Sequence, residues 1–338
     1  MILVGDIGGT NTTLATVEKR GDRFSIVHRK RYASVELSGM PEALDDYLVS
    51  ADVAESGFEM CCLSGAGPVR GNQCAMTNVS WPIDGDAVGA QLGIRTFVIN
   101  DFSAICYALP LIDTHDEIQT LSIPHLDGSR PKPHGPVRVV VGAGTGLGTG
   151  YLTEDRGHYT AHPSEGGHTD FAPLDSDMAA LQIYLEARFP IRPGAEQFIS
   201  GQGIKNIYNC YRETGRIPAD ATTVQIDTLP DTDKPGAVAR QAATHDGLAS
   251  VMRLFVRMFA RYASNTALSF LPAGGLYLAG GIAAKNERWI LEDHLFMQTF
   301  EENYNERVTP LLRSTPVVLI KDYSVSLYGA AHAAISLG

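Results

Sequence analysis

The chain has 338 residues, 44% hydrophobic and 19% charged, with a formal net charge of −11. This is globular composition with enough length for two cores, and an acidic balance with no basic patch argues against a nucleic-acid binder. Cys61, Cys62, Cys74, Cys106 and Cys210 show no zinc-ligand spacing, and Ile2-Leu3-Val4-Gly5 follows Met1 with no basic leader or long apolar run, so a reduced, cytoplasmic chain without membrane spans is expected.

Met1–Val4 reads as a strand, Asp6-Ile7-Gly8-Gly9-Thr10-Asn11 as a tight turn, and Thr12–Glu18 and Phe24–Ala33 as two further strands. An antiparallel meander is not how a dinucleotide-binding Rossmann domain begins. Pro41–Val53 follows as a helix, Phe58–Gly65 as a strand, and Asp84–Leu92 as a helix. Thr96–Ile99 is a buried strand ended by Asn100 and Asp101. Asp101 either caps the next helix or faces a ligand, because α/β proteins bind ligands outside the carboxyl ends of strands.

Glu117–Gly135 reads as a connection or surface loop. Val137–Val141 is a second buried strand, running into Gly142-Ala143-Gly144-Thr145-Gly146-Leu147-Gly148. Met178–Phe189 is a helix, Pro218–Pro235 an exposed acidic loop, and Asp246–Phe270 a long amphipathic helix. Arg253, Arg257 and Arg261 line one face of that helix and read as solvated. Gly275–Ala279 and Pro316–Ile320 are strands, and Ser324–Ser336 closes the chain as a helix.

At an offset of 137 residues (142 − 5), Ile2-Leu3-Val4-Gly5 matches Val139-Val140-Val141-Gly142. Both copies read as strand, Gly-rich turn, strand, which predicts two related domains facing a shared cleft. Asp6 falls on Ala143, so one turn alone carries a carboxylate. Such turns serve either as hairpins with glycines at positive φ or as anion nests that phosphate can approach. Neither is a Walker A loop or a G-x-G-x-x-G fingerprint opening a helix. In Glu165-Gly166-Gly167-His168-Thr169-Asp170-Phe171, spacing does not support a metal site. Carboxylate and imidazole on a Gly-rich loop suit a polyhydroxy ligand better. Glu196 is a further candidate.

Asp6-Ile7-Gly8-Gly9-Thr10-Asn11, Ala75-Met76-Thr77-Asn78 with Trp81, Ile99-Asn100-Asp101-Phe102, Gly142–Gly148, Glu165–Pro173 and Ala279-Gly280-Gly281-Ile282 occur in that order. Together they resemble the bacterial-type glucokinases, of the hexokinase and actin-like ATPase superfamily, across nearly the whole chain. The resemblance implies an α/β fold of two actin-like ATPase (ribonuclease H-like) domains, with the active site in the interdomain cleft. Residues 1–109 plus 323–338 would form the small domain and 110–322 the large one.

The resemblance further implies ATP-dependent phosphorylation of glucose to glucose 6-phosphate. Asp101 is then the general base, and Asn100, Asp101, Glu165, His168 and Glu196 bind the sugar. Gly5, Asp6, Ile7, Gly8, Gly9 and Thr10, with Gly144, Thr145 and Gly146, would hold the phosphates of ATP, and Gly280 and Gly281 the adenosine. Asp6 would help hold Mg²⁺ through water, and a homodimer is implied. Thr13 stands where the family usually has Arg, and Pro163-Ser164-Glu165 replaces the commoner Pro-Gly-Glu. The Cys-rich zinc motif of the ROK sugar kinases is missing after Glu165–His168, which favours the non-ROK branch. A kinase for another hexose, a non-catalytic sugar sensor and an actin-like filament or chaperone ATPase are the competing readings. Sensors among ROK relatives carry a helix-turn-helix before the ATPase fold, whereas a strand begins at Ile2 here. The actin-like ATPases lack Asn-Asp followed by Glu-Gly-Gly-His.

Overall fold

The computed structural model describes residues 1–51, 57–76, 79–112, 118–322 and 324–338. Thr77 and Asn78 of the motif, the last two residues of the helix expected over Pro41–Val53, and Glu117 lie outside that description. The described chain groups into two units. Unit 1 comprises Met1–Gln119, Gly150–Pro163 and Asp322–Gly338, and unit 2 comprises Thr120–Thr149 and Ser164–Lys321.

Unit 1 is built on strands β1 (Ile2–Ile7), β2 (Asn11–Arg20), β3 (Arg23–Ala33), β4 (Met60–Gly65) and β8 (Arg95–Asn100), in the order β3-β2-β1-β4-β8. A small antiparallel sheet of β5 (Val69–Arg70), β6 (Gln73–Cys74) and β7 (Ile83–Asp84) precedes β8. The first three strands form the expected meander, whereas β1, β4 and β8 run parallel. Leu3, Val4 and Ile7 are buried because β1 lies at the sheet centre. Gly5 leaves room for its neighbours: a Cβ would stand 2.7 Å from Leu63 Cδ2, which would have to move. Leu3, Ile7, Leu14, Leu44, Tyr47 and Leu63 belong to one core, under helix α1 (Met40–Ala51). The buried Tyr47 hydroxyl meets Thr16 Oγ1 at 2.8 Å. Helix α2 (Gly85–Leu92) begins at Asp84, whose carboxylate accepts from Asp86 N–H and Ala87 N–H, and ends at Gly93 with φ 66°.

Helix α3 (Asp101–Ala108) leaves the end of β8 and packs on the C-terminal helix Val325–Leu337. Gly150–Pro163 groups with this unit, unlike the sequence-based division at 109/110, and its contacts explain why. A Cβ on Gly150 would stand 2.9 Å from Cys106 Sγ of α3. The Tyr159 ring packs edge-on to His332 of the C-terminal helix, with centroids 5.2 Å apart.

In unit 2, β10 (Val137–Ala143), β13 (Leu276–Ala279) and β14 (Val317–Ile320) are parallel, and β9 (Thr120–Ser122) pairs antiparallel with β14. With β11 (Leu147–Asp155) and β12 (His158–Ser164), which run across the unit boundary, the order is β12-β11-β10-β13-β14-β9. Apart from β9, it repeats β3-β2-β1-β4-β8 strand for strand, the duplication that the 137-residue echo predicts.

Unit 2 carries helices α4 (Ser176–Glu186), α5 (Gly201–Glu213), α6 (Ala221–Asp227), α7 (Lys234–Gln241) and α8 (Asp246–Phe270). Leu248, Val251, Met252, Phe255 and Phe259 of α8 are buried as their spacing predicts. The acidic stretch Pro218–Pro235 is not a plain loop. Asp220 and Thr223 form a reciprocal capping box that starts α6. The arginine stripe of α8 is also not simply solvated. Arg253 pairs with Glu292 at 2.9 Å, Arg257 with Asp175, and Arg261 Nη1 donates to the Glu302 carbonyl at 3.1 Å. Among the described residues, no helix is long and apolar enough to cross a membrane. All five cysteines are free and buried.

Candidate active site

Two carboxylates stand at the carboxyl ends of the parallel strands in unit 1. Ile7, Gly65 and Asn100 occupy one row across β1, β4 and β8. Asp6 therefore lies two strands from Asn100, a lateral separation of about 9–10 Å at ordinary strand spacing. Glycines close this edge tightly. A Cβ on Gly65 would stand 2.7 Å from Cys74 Sγ, and one on Gly67 would meet the Ala75 carbonyl oxygen at 2.1 Å.

The structure separates the capping residue from the neighbouring half-buried carboxylate. Asn100 is the N-cap of α3, with its Oδ1 accepting from Phe102 N–H at 2.9 Å and its Nδ2 donating to the Gly67 carbonyl at 3.2 Å. Asp101 is thus the first helical residue rather than the cap, and its Oδ1 also accepts from Phe102 N–H at 2.9 Å. Burial pushes the Asp101 carboxyl up to about 6, with the nearby charge of Asp6 adding to the rise and the Phe102 bond opposing it. Burial also raises Asp6, against the hydrogen bond that its Oδ2 accepts from Ser326 Oγ at 2.7 Å. Nothing in the sequence signals Ser326, which lies 320 residues away from Asp6.

The first turn closes through Gly8 N–H donating to the Asn11 carbonyl at 2.8 Å, which leaves Thr10 exposed at its tip with Gly9. Thr13 pairs with Asp6 on one side and with Arg31 on the other. An arginine thus occupies the same row one strand further on. The second turn, in unit 2, closes through Gly144 N–H to the Gly146 carbonyl at 2.9 Å, with Thr145 exposed. Gly8, Gly144 and Gly146 do not adopt positive φ. The hairpin argument from positive φ therefore fails for these three, and what glycine supplies is a missing Cβ. At Gly144 the space is open, since a Cβ would stand 4.0 Å from the Gly146 oxygen.

Two neighbours converge on that second turn. Gly201 N–H, at the start of α5, donates to the Gly144 carbonyl at 2.9 Å. Gly280, at the end of β13 with φ 91°, lies so close that a Cβ would stand 2.4 Å from the Ala143 oxygen. Gly281 opens the short helix that follows. The phosphate and adenosine candidates of unit 2 are thus adjacent, at the ends of neighbouring parallel strands.

In unit 2 the Glu196 carboxylate and the backbone of the Glu165–His168 loop both reach Leu147. Glu196 Oε2 accepts from Leu147 N–H at 3.0 Å, and a Cβ on Gly146 would stand 2.4 Å from that same oxygen. Gly167 lies so near Leu147 that a Cβ would meet its carbonyl oxygen at 2.0 Å, which explains the Gly-Gly in Glu165–His168. Ser164 Oγ accepts from Gly166 N–H at 3.1 Å, so the serine in place of the family's glycine braces this loop. Glu165 and His168 face solvent with Oε2 and Nε2 3.6 Å apart. The loop is tied to the Glu196 segment by Ala195 N–H donating to the Thr169 carbonyl at 2.8 Å. The candidates therefore fall into two sets, one in each unit.

Among the described residues, no three His, Cys, Asp or Glu side chains form a metal cluster. Magnesium carried by a nucleotide keeps most of its water and takes one or two carboxylates besides phosphate oxygens. Asp6, with acceptor capacity beyond the Ser326 bond, fits such an ion.

The family model for glucokinase matches residues 3–336. A glucokinase from Nostoc sp. is 34% identical over 351 residues, covering 100% of this chain and 99% of that relative. One from Pectobacterium atrosepticum is 32% identical over 97% of this chain and 95% of its own length. Among solved structures, a glucokinase from an Antarctic psychrotroph superposes with a TM-score of 0.82 at 25% identity, covering 99% of this chain and 98% of that one. A ROK family glucokinase from Streptomyces griseus shares the fold more distantly, with a TM-score of 0.62 at 17% identity and 99% coverage of both chains. These matches, with the duplicated actin-like sheet topology, place the chain in the glucokinase family of sugar kinases, on its non-ROK side.

Proposed function

We propose that this chain transfers the γ-phosphoryl group of ATP to the 6-hydroxyl of glucose, with Asp101 as general base. The observation that carries this reading is the state of Asp101. It sits at the carboxyl end of a parallel strand, is relieved of capping by Asn100, and has a carboxyl pushed up to about 6. Such a group is ionised at neutral pH yet basic enough to take a hydroxyl proton in the transition state. Asp101 takes the proton from O6, O6 bonds to the γ-phosphorus, and the bond from phosphorus to the bridging oxygen breaks. Glucose 6-phosphate and ADP leave.

Asn100 holds the sugar beside Asp101, while Glu165, His168 and Glu196 receive and donate hydrogen bonds at the other hydroxyls. The turn Gly5–Thr10 and the turn Gly144–Gly146 take the phosphates on backbone N–H groups and on Thr10 and Thr145. Gly280 and Gly281 lie beside the adenosine. Asp6 would hold Mg²⁺ through water, and the ion would neutralise charge on the phosphates. The chemistry is positioning and charge stabilisation, which is why it needs glycines and carboxylates rather than a nucleophile.

The test is ADP release by the purified chain with Mg-ATP and a panel of hexoses. Glucose should be strongly preferred over galactose, whose inverted 4-hydroxyl leaves a hydrogen-bonding group of the site unpaired, a mismatch that can cost about 10⁴-fold. Equal kcat/KM for the two sugars would overturn the choice of glucose.

A further inference from the structure

The C-terminal helix Val325–Leu337 reaches the surroundings of both carboxylates in unit 1. It packs on α3 and against β1 and β4. Gly329 lies so near α3 that a Cβ would stand 1.7 Å from the Ala104 carbonyl oxygen. His332 Nδ1–H donates to the Tyr107 carbonyl at 2.6 Å. Three residues before Gly329, in the first turn of this thirteen-residue helix, the largely buried Ser326 donates its hydroxyl to Asp6 Oδ2 at 2.7 Å. An ionised carboxylate offers about four acceptor sites. A hydroxyl fixed on one oxygen sets the rotation of the group, so the remaining sites keep one direction. The positive end of the helix lies on the same side and favours the anion.

We propose that Ser326 is a positioning residue for nucleotide-bound magnesium: its hydroxyl locks the Asp6 carboxylate in the orientation that receives the ion's water shell, and the close contact of Gly329 with α3 holds Ser326 in place. This rests on the reading of Gly5–Thr10 as a phosphate turn. The role belongs to a hydroxyl rather than to side-chain bulk, which makes it separable from packing.

The experiment measures ADP binding to the full chain by calorimetry, with Mg²⁺ and with EDTA. In the wild type Mg²⁺ should tighten ADP binding. In Ser326→Ala that tightening should shrink by roughly tenfold, the usual worth of a hydrogen bond to a charged group. Ser326→Thr should restore it to within about twofold, and glucose affinity should stay within about twofold throughout. Ser336→Ala, which removes a hydroxyl at the far end of the same helix, should match the wild type. If Ser326→Ala does not fold, Ser326→Cys, of similar size but with a weak donor, is judged by the same criterion. Full magnesium tightening in the folded Ala or Cys variant, an equal loss in Ser336→Ala, failure of Thr to restore it, or no magnesium effect in the wild type would overturn the role. Glucose-dependent ADP formation by the wild type is assayed alongside. Its absence defeats the kinase reading, whereas its presence with an unshifted Ser326→Ala defeats the positioning role alone.

Discussion

Replacing Asp101 by Asn should make the ligand-free protein more stable at neutral pH. Burial and the charge of Asp6 raise the Asp101 carboxyl from 3.8 to about 6 in the folded chain. Between those values the folded chain holds a proton that the unfolded chain has released. Stability therefore falls as pH rises from about 4 to about 6 and is level above that window. A rise of that size is worth about 3 kcal/mol. Asparagine keeps an oxygen for the Phe102 N–H bond and carries no charge to bury. Urea midpoints of wild type and Asp101→Asn should differ by up to about 3 kcal/mol at pH 7.5 and by only about 1 kcal/mol at pH 4.5. A variant no more stable than wild type at pH 7.5, or an equal gain at both pH values, would refute the description of Asp101 as a carboxylate strained by burial.

Other consequences follow from the same geometry. With saturating ATP, kcat/KM for glucose should fall about tenfold per unit below pH 6 as Asp101 takes up a proton, and a profile flat to pH 5 would contradict its role as base. Gly144→Val should leave stability within about 1 kcal/mol because its Cβ enters open space, while raising the KM for ATP about tenfold or more. Gly146→Ala should instead raise the KM for glucose, because its Cβ displaces the Glu196 carboxylate from Leu147 N–H; steady-state kinetics on both substrates separate the two. Gly329→Ala should lower stability by about 2–3 kcal/mol, since Cβ cannot fit beside the Ala104 carbonyl, and a thermal melt reads this directly.

The parts legible in the sequence were those written in short-range pattern. The apolar run before Gly5, its echo before Gly142 and the strand ending at Asn100 stand where alternation and turn residues put them. Asn100 and Asp101 could not be told apart as cap and free carboxylate, because adjacent polar residues at a strand end serve either role until the backbone is set. The acidic stretch 218–235 misleads because Asp220 works as a cap, and a capping Asp has the same composition as a solvated loop Asp. The arginines of α8 find partners at Asp175, Glu292 and Glu302, far off in sequence, so periodicity reads them as solvent-facing. Ser326 is invisible for the same reason, since only the folded sheet brings the last helix to Asp6. Glu165 and His168 stand out as a carboxylate and an imidazole on a Gly-rich loop and take their sugar role, with Glu196, from the family resemblance, whereas the bond from Leu147 N–H to Glu196 is a tertiary fact.

The most direct test of the central claim is the kinetics of Asp101→Asn with glucose and Mg-ATP, alongside glucose binding by calorimetry. Removing the base while keeping a hydrogen-bonding side chain should lower kcat by about 10²- to 10⁴-fold and leave the glucose Kd within a few-fold. A folded Asp101→Asn variant that binds glucose and turns over at nearly the wild-type rate would contradict the assignment of Asp101 as the group that activates the 6-hydroxyl.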